Sequence, residues 1–236
     1  MTWFDHLLTS FYTARWQVTP GQAIYYREIV GNAFGLGSAL FGLRRSWWAW
    51  PVGIVGNVLL FTVFMGQAIG NDQGIPLYGQ ASRQVFFVIT SVYGWWRWRR
   101  NRARTHGTAV TPHWASPRQR AVVLPAALIA VVLCFFAFRA IGTGFPVPWW
   151  YSLADSWIFV GSILATYAMA RGWVEFWLCW IAVDLVGVPE LLHFRYYPSA
   201  ILYAVYAAFV IWGFVVWLRI SRAESRPRQP APATAW

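Results

Sequence analysis

The sequence has 236 residues, of which 58% are hydrophobic and only 11% are charged. Soluble domains contain about 25% charged residues, so the composition excludes an ordinary soluble domain and indicates a lipid environment. The formal net charge is +11, and all 19 basic residues are arginines. The two cysteines lie in apolar segments without metal-ligand spacing, which argues against a disulfide framework and a metal site. The N-terminus lacks the pattern of a signal peptide.

Seven apolar segments approach the length of about 20 helical residues that crosses the hydrocarbon core of a bilayer. They are residues 26–43, 50–69, 76–96, 121–139, 151–170, 173–192 and 198–218. Residues 1–25 precede these spans, and 97–120 form the one long polar interruption. Residues 219–236 form a Pro- and Ala-rich tail that is predicted to be disordered. The sequence therefore predicts an all-α membrane protein with seven transmembrane helices.

Arginine is distributed unequally between the two sides of the predicted membrane. The N-terminus and the loops after the second, fourth and sixth spans carry four arginines, whereas the other side carries fourteen. Because cytoplasmic loops are enriched in basic residues, we expect residues 1–25 outside and both the 97–120 loop and the C-terminus in the cytoplasm. The expected location is the inner (plasma) membrane of the cell. The arginines are explained by their location on the cytoplasmic side of the membrane and by contact with anionic lipids. Nucleic-acid binding is therefore not expected.

The chain contains a weak internal repeat. A shift of 127 residues places the first two spans on the fifth and sixth, and a shift of 119 places the third on the seventh. The matched pairs are Glu28 with Asp155, Arg44 with Arg171, Trp50 with Trp177, Asn57 with Asp184, Tyr78 with Tyr197, Ala81 with Ala200, Gly94 with Gly213 and Trp98 with Trp217. Both halves begin on the same side, which predicts two parallel three-helix bundles, 26–96 and 151–218, joined by a linker helix at 121–141. Transporters with such repeats bind their substrate between the halves, near the bilayer midplane.

A carboxylate lies in the middle of the sixth span, WVEFWLCWIAVDLVGVP. Asp184 is about 16 Å along a helix that starts near Trp173, and it shares one helix face with Trp177 and Trp180. A charge at this depth costs about 2.5–3.5 kcal/mol on insertion scales, so we expect it to face a polar interior. Aromatic rings beside a carboxylate suit a planar ligand with polar substituents. The alternative is a helix-packing aspartate with tryptophans that fill space.

Other spans also carry polar side chains within the predicted membrane. The further candidates for substrate binding are Asn57 in the second span, Gln80 and Gln84 in the third, and Tyr203 and Tyr206 in the seventh. A glutamine amide pairs with amide or hydroxyl groups of a ligand. Asn57 is equally explained by a hydrogen bond between helices, and one of the tyrosines by core packing.

Two other features of the spans are expected to be structural. Arg83 is expected to extend toward the outer surface or to pair with an acid. Small residues in the first and fifth spans, at 31–35 and 161–165, favour close helix packing.

No Ser–His–Asp, Cys–His or His-rich set is evident in the sequence, so no catalytic residue, metal or cofactor is expected. A membrane-embedded enzyme is the distant alternative, and it requires a pair of acid/base groups. Glu175 and Asp184 do not form one, because they lie on different helix faces. A receptor or a structural assembly factor is a third alternative.

Several motifs, in order, resemble the PnuC-type vitamin transporters, of which nicotinamide riboside carriers are the best-known members. They are WPVGIVGNVLLF, LYGQASRQVFFVITSVYGWWRW, the W-x-x-W of Trp177 and Trp180 followed by Asp184, and YYPSAILYAVYAAFVIWGF. The resemblance covers residues 26–219. It implies two three-helix bundles joined by one helix, as in SWEET sugar carriers, a homotrimer, and facilitated uptake followed by trapping by a cytosolic kinase. It also implies ligand stacking at Trp177 and Trp180 and ligand contact at Gln84.

The resemblance leaves the identity of the vitamin open. The stretch GLRRSWWAWPV is similar to the riboflavin branch, whereas LYGQ, RQVFF and YGWW are more similar to the nicotinamide riboside branch. Asp184 favours a cation, and nicotinamide riboside and thiamine are cations, whereas riboflavin is neutral and larger. Nicotinamide riboside is the predicted substrate, with riboflavin or thiamine as the alternatives.

Overall fold

Apolar helices make up most of the chain in the computed structural model. The structure describes residues 13–19, 22–65, 78–105, 109–141, 148–193 and 197–224, together with Trp3, His6, Ser10 and Phe11. Seven helices follow from residue 26 onward: α1 (Tyr26–Leu43), α2 (Ala49–Phe64), α3 (Tyr78–Thr105), α4 (Pro117–Ile141), α5 (Trp149–Arg171), α6 (Glu175–His193) and α7 (Tyr197–Glu224). The predicted all-α class with seven helices is confirmed.

A β-hairpin, not expected from the sequence, precedes these helices. Strand β1 (Arg15–Thr19) pairs antiparallel with β2 (Gln22–Tyr25), with Arg15 opposite Tyr25. α1 begins directly after β2. Part of the predicted N-terminal segment 1–25 is therefore a hairpin.

Several helices have the length and apolar composition of membrane spans. Among the described residues, three are long and apolar enough to cross a membrane: Pro117–Ile141, Trp149–Arg171 and, within α7, Tyr203–Ala223. Helix α2 is apolar but shorter, with 16 residues, and residues 66–69 of the predicted second span lie outside the described residues. Helix α4 exposes most of its apolar side chains, such as Leu133 at 64%, as expected for a helix that faces lipid.

The predicted 97–120 loop is helical at both ends, which corrects its boundaries. Helix α3 continues through Thr105, and α4 already begins at Pro117. A reciprocal cap starts α4, because the Ser116 N–H donates to Gln119 Oε1 at 2.8 Å and the Gln119 N–H donates to Ser116 Oγ at 3.3 Å. Proline suits the first helical position, where its missing N–H has no partner in any case.

The first residues of the predicted disordered tail, 219–224, are helical. Helix α7 continues to Glu224, beyond the predicted boundary at 219. Residues 225–236 lie outside the described residues.

The helices pack in two sets of three. Helix α1 packs on α2 and α2 on α3, while α5 packs on α6 and α6 on α7. We call α1–α3 the first half and α5–α7 the second half. The halves meet where α3 packs on α5 and where α1 contacts α7, whereas α4 packs on α5. The two halves therefore enclose a space between them.

Contacts at matched positions are alike in the two halves. The ring of Trp50 on α2 packs against Gly94 on α3, where a Cβ atom would overlap the ring. The ring of Trp177 on α6 packs against Gly213 on α7 in the same way. Since Trp50 matches Trp177 and Gly94 matches Gly213 in the sequence, this packing supports the predicted repeat.

The turns that end the first helix of each half also match. Arg45 and Gly172, which are 127 positions apart, both have positive φ, of 55° and 80°. The Arg45 N–H donates to the Gly42 carbonyl and the Gly172 N–H to the Met169 carbonyl, both at 2.9 Å. Glycine adopts this conformation at no steric cost, whereas arginine does not, so the turn after α1 is held by its surroundings.

A segment between α3 and α4 joins these two turns. In this segment, residues 109–116, which we call the strap, the Ala109 N–H donates to the Arg45 carbonyl at 3.3 Å. The His113 N–H donates to the Gly172 carbonyl at 3.1 Å. The strap therefore connects the halves at the end of the bundle that carries Arg44, Arg45 and Arg171, which we call the arginine-rich end.

Glu175 fixes the strap to the second half and to α4. Its carboxylate accepts the Ala115 N–H at 3.0 and 3.2 Å, and it forms an ion pair with Arg120 at 2.7 Å. Glu175 is thus a structural residue that holds the strap and the start of α4 to α6.

Candidate functional site

A cavity of about 310 Å³ lies between the two halves. Among the described residues, its walls come from α1, α2 and α3 of the first half and from α5, α6 and α7 of the second, with none from α4. Its aromatic lining includes Trp50, Phe87, Phe176, Trp177, Trp180 and Phe209. Its polar lining includes Asn32, Ser38, Asn57, Ser91, Ser162 and Thr166. Small-molecule sites combine apolar and aromatic walls with a few converging polar groups in this way.

Asp184 lines the cavity from α6. Its side chain is 7% exposed, and its Oδ2 atom has no hydrogen-bond partner among the described residues. Asn57, at the matched position in α2, lines the same cavity from the first half. A buried carboxylate oxygen without a partner is costly, so Asp184 is suited to accept a hydrogen bond or a positive charge from a ligand.

The two tryptophans of the W-x-x-W motif differ in their surroundings. Trp177 is 3% exposed, and its ring packs against Gly213 and lies 6.1 Å from the Phe209 ring. Trp180 is only partly buried, and its ring lies 6.2 Å from that of Phe87 at an angle of 52°. Both line the cavity, but Trp177 is held mainly by helix packing, whereas Trp180 offers the more accessible ring face.

Both predicted tyrosines of α7 line the cavity. The Tyr206 hydroxyl donates to the Asn32 carbonyl of α1 at 3.4 Å, a long hydrogen bond between the halves. Tyr203 packs over Gly187 of α6, and its ring lies within 3.2 Å of the position of a Cβ atom there. The tyrosines therefore combine cavity lining with packing.

Of the two predicted glutamines of the third helix, only Gln84 has a described side chain, and it does not line the cavity. Gln84 is 3% exposed, and its Oε1 atom has no hydrogen-bond partner among the described residues, but Gln84 is not among the residues that line the cavity. The side chain of Gln80 lies outside the described residues.

Arg83 lines the cavity, which its sequence context did not reveal. Its guanidinium carbon lies 6.0 Å from the centroid of the Phe87 ring, and Asp155 of α5 is within electrostatic reach. The expected pairing of Arg83 with an acid stays a prediction, since its Nε atom has no hydrogen-bond partner among the described residues. Arg83 adds a positive charge to a cavity that also contains Asp184.

The first and fifth helices supply cavity-lining residues that lie within or next to the segments 31–35 and 161–165, which were expected to serve helix packing. On α1, Asn32, Gly35 and Ser38 follow one another at three-residue spacing and line the cavity. On α5, Ser162 and Thr166 are one turn apart and do the same. The signal was present in the sequence, because small polar residues at helical spacing leave room for a ligand as well as for a neighbouring helix.

Paired indole groups join the halves at the arginine-rich end of the cavity. Trp98 Nε1 donates to the Ala170 carbonyl at the end of α5, and Trp217 Nε1 donates to the Leu43 carbonyl at the end of α1, both at 3.3 Å. All four residues are buried. Each half therefore supplies one donor and one acceptor.

No group of three or more His, Cys, Asp and Glu side chains is placed to hold a metal ion within the described residues. The described lining of the cavity offers stacking, hydrogen bonding and charge pairing.

A cavity of this kind between two similar sets of membrane helices is typical of carriers for small molecules. The chain belongs to the nicotinamide mononucleotide transporter family, whose model matches residues 25–219. It is a multi-pass membrane protein of the PnuC type, as the resemblance predicted.

The proteins to which this chain is similar are named as transporters. The riboflavin/roseoflavin transporter RibM of Streptomyces davaonensis is 37% identical over 213 residues, which cover 90% of this chain and 94% of RibM. The nicotinamide riboside transporter PnuC of Escherichia coli is 26% identical over 192 residues, which cover 70% of this chain and 74% of PnuC. The crystal structure of the vitamin B3 transporter PnuC matches the fold with a TM-score of 0.63 and 19% identity, over 85% of this chain and 83% of that chain.

Proposed function

We propose that the protein carries riboflavin or a close flavin analogue across the membrane by facilitated diffusion. The observation that carries this proposal is the cavity between the halves. Its aromatic walls and the Asp184 Oδ2 atom, which has no hydrogen-bond partner among the described residues, suit a flat ring with polar substituents. The similarity to RibM, which spans nearly the whole of both chains, favours a flavin over the other vitamins.

The cavity lining matches the two parts of such a ligand. Trp180 has the accessible ring face on which a planar ring system stacks, a contact worth about 1–3 kcal/mol per ring for bases on aromatic side chains. Asn32 and Ser162, together with Asn57, supply amide and hydroxyl groups for the hydroxyls of a sugar-like chain. Asp184 accepts a hydrogen bond from a ring N–H or a hydroxyl group.

Nicotinamide riboside, the substrate expected from the sequence, is the second candidate. The Asp184 carboxylate favours it, because a buried negative charge attracts a cationic ring. The similarity to the Escherichia coli nicotinamide riboside transporter also supports it. Thiamine, another cation, is distinguished from riboflavin by how its affinity responds to the loss of the Asp184 charge.

Charge substitution at Asp184 separates these candidates. Asp184→Asn keeps an oxygen acceptor and removes the charge, so a neutral ligand should lose only the difference between a charged and a neutral hydrogen bond, about 1 kcal/mol or fivefold in affinity. A cationic ligand should lose considerably more. Calorimetric titration of wild type and variant with riboflavin, nicotinamide riboside and thiamine measures both effects.

We also propose that the architecture is that of two parallel three-helix bundles, 26–96 and 151–218, joined by a linker helix at 121–141. The packing of α1–α3 and α5–α7 and the matched tryptophan–glycine contacts support this plan. The unequal arginine distribution supports an external N-terminus and a cytoplasmic arginine-rich end in the plasma membrane. A homotrimer and trapping of the vitamin by a cytosolic kinase follow from the family resemblance.

We propose that the cavity serves passive transport and that the protein has no enzymatic activity. Coupled transporters use chains of ionisable groups, and Asp184 and Arg83 are the charged groups of the described cavity lining. Purified protein in vesicles without ATP should equilibrate labelled riboflavin, and an imposed proton or sodium gradient should not change the plateau. Exclusion of all three vitamins would overturn the transport proposal, and chemical alteration of the vitamin would revive the enzyme alternative.

A further inference from the structure

Arginine and tryptophan side chains form a surface groove near the end of α3. The groove has a volume of about 440 Å³ and is lined by Trp47, Arg99, Arg102 and Ala103. Arg99 and Arg102 are exposed and lie three residues apart, on one face of the helix. This groove is separate from the cavity between the halves, with which it shares no lining residue.

Aromatic rings hold Arg99 in place at the groove. Its guanidinium carbon lies 5.6 Å from the centroid of the Trp47 ring and 5.8 Å from that of Trp95. The two rings are nearly parallel, at 5°, with centroids 6.4 Å apart. A guanidinium group packed on aromatic rings keeps its N–H groups available, and its geometry matches the oxygens of a phosphate.

The depth of the groove corresponds to the boundary between hydrocarbon and headgroups. Trp95 is 17 residues beyond Tyr78, the first residue of α3, which is about 26 Å along the helix, close to the thickness of the hydrocarbon core. Trp48 and Trp96 are 49% and 56% exposed, as is usual for tryptophans at a membrane interface. The arginines of the next turns therefore lie at headgroup level.

Among the described residues, no acidic side chain neutralises the positive charge of the groove. No carboxylate of the described residues forms an ion pair with Arg99 or Arg102. We propose that the groove binds the phosphate of one anionic phospholipid, with its acyl chains against the exposed faces of Trp48 and Trp96. Basic pockets at the ends of membrane helices bind such headgroups, and each arginine near the surface contributes on the order of a fivefold gain in affinity.

The chain provides a matched control in the second half. Arg219 and Arg222 on α7 are also exposed and three residues apart, and they follow Trp217 closely, as Arg99 follows Trp98. Among the described residues, however, no tryptophan pair flanks them in the way that Trp47 and Trp95 flank Arg99. Replacing Arg219 and Arg222 removes as much positive charge as replacing Arg99 and Arg102, and it does not alter the groove.

The test compares lipid binding by the purified, detergent-solubilised full chain. Dioleoyl phosphatidylglycerol and dioleoyl phosphatidylcholine are titrated, and native mass spectrometry counts the bound lipids. Wild type should retain phosphatidylglycerol in preference to phosphatidylcholine. The Arg99→Gln/Arg102→Gln variant should lose affinity for phosphatidylglycerol about 30-fold, and Arg219→Gln/Arg222→Gln should lose little.

Three results would overturn the proposal: equal retention of both lipids, equal losses in the two double variants, or full displacement of phosphatidylglycerol by inorganic phosphate. The last would indicate a site for a soluble anion. If the double variant does not fold, Arg102→Gln alone serves, because its exposed side chain is replaced without disturbing the rings around Arg99. It should reduce affinity about fivefold, and no reduction would contradict the site.

Discussion

Trp98 and Trp217 lie 119 positions apart in the chain and make the same hydrogen bond, each to the end of the first helix of the opposite half. Their acceptors, Ala170 and Leu43, are themselves 127 positions apart and match in the repeat. The bonds are therefore related by the approximate symmetry of the two halves. A carrier that opens toward the arginine-rich end has to break both.

Removing one indole N–H should weaken the arginine-rich end and leave the rest of the fold intact. Trp98→Phe and Trp217→Phe each leave a buried carbonyl without its donor, so each should lower the free energy of unfolding by roughly 1–3 kcal/mol. Thermal melts in detergent measure this loss. Trp212→Phe is the control, because Trp212 is 54% exposed on the same helix as Trp217. A loss in only one of the two variants would contradict the symmetric arrangement.

The two tryptophans of α6 should respond differently to truncation. Trp180→Ala should reduce vitamin affinity tenfold to a hundredfold, because it removes the accessible stacking face, with a smaller effect on the melting temperature. Trp177→Ala should lower the free energy of unfolding by about 3–5 kcal/mol, because it empties the space against Gly213. Calorimetric titration and a melt without ligand separate the two. Unchanged affinity in Trp180→Ala would assign that residue to packing as well.

Gly94 and Gly213 should both be intolerant of alanine. The added methyl group would overlap the ring of Trp50 or Trp177, and such overpacking costs about 1–3 kcal/mol. Gly35 is the control, since no atom lies within 4 Å of the position of a Cβ there. Gly35→Ala should be neutral or stabilising by up to about 1 kcal/mol, because alanine favours a helix more than glycine. Equal melting temperatures for the three variants would refute the packing argument.

Glu175→Gln should destabilise the protein more than Arg120→Gln. The carboxylate of Glu175 accepts both the Ala115 N–H and the Arg120 guanidinium, and hydrogen bonds to charged groups contribute about 1.5–3 kcal/mol. Arg120 is 46% exposed, so the loss of its ion pair should cost less than about 1 kcal/mol. Urea-induced unfolding in detergent ranks the variants. Equal losses in the two variants would mean that the ion pair, and not the strap, is the main contribution of Glu175.

The helices could be predicted from the sequence because each long apolar segment requires a helix in lipid. The predicted ends of the helices were less accurate. An apolar segment ends at the first charged residues, whereas the helix itself continues through them. Arg97 and Arg99 were assigned to a loop, yet α3 continues through Thr105. The start of α4 was readable in the sequence, because Ser116 and Gln119 have the spacing of a reciprocal cap.

The repeat was weak in sequence for a structural reason. The contact of Gly31 with Leu60 in the first half corresponds to that of Ile158 with Gly187 in the second. The small and the large residue have exchanged helices, so the matched positions contact each other in both halves although neither residue is identical. Alignment detects identities, whereas packing requires only that the summed volume be kept.

Some of the residues that line the cavity were named from the sequence, and others, including the charged Arg83, were not. Asp184 and Asn57 were found because polar groups are costly in lipid and few in number. Gln84 satisfied the same criterion but does not line the cavity. Ser38 and Ser162 were missed, because a small side chain that faces a ligand and one that faces a helix have the same sequence pattern.

The strap has a consequence for the order in which the chain is made. Its backbone partners lie on either side of it in the sequence, since Arg45 precedes the strap and both Gly172 and Val174 follow it. A ribosome delivers the N-terminal part first, so the bond from Ala109 to Arg45 can form before α5 exists. The bond from His113 to Gly172 must wait until α5 has been inserted. We therefore expect the strap to be bound to the first half before α5 packs against it. The arginine-rich end is then completed only after α5 has been inserted.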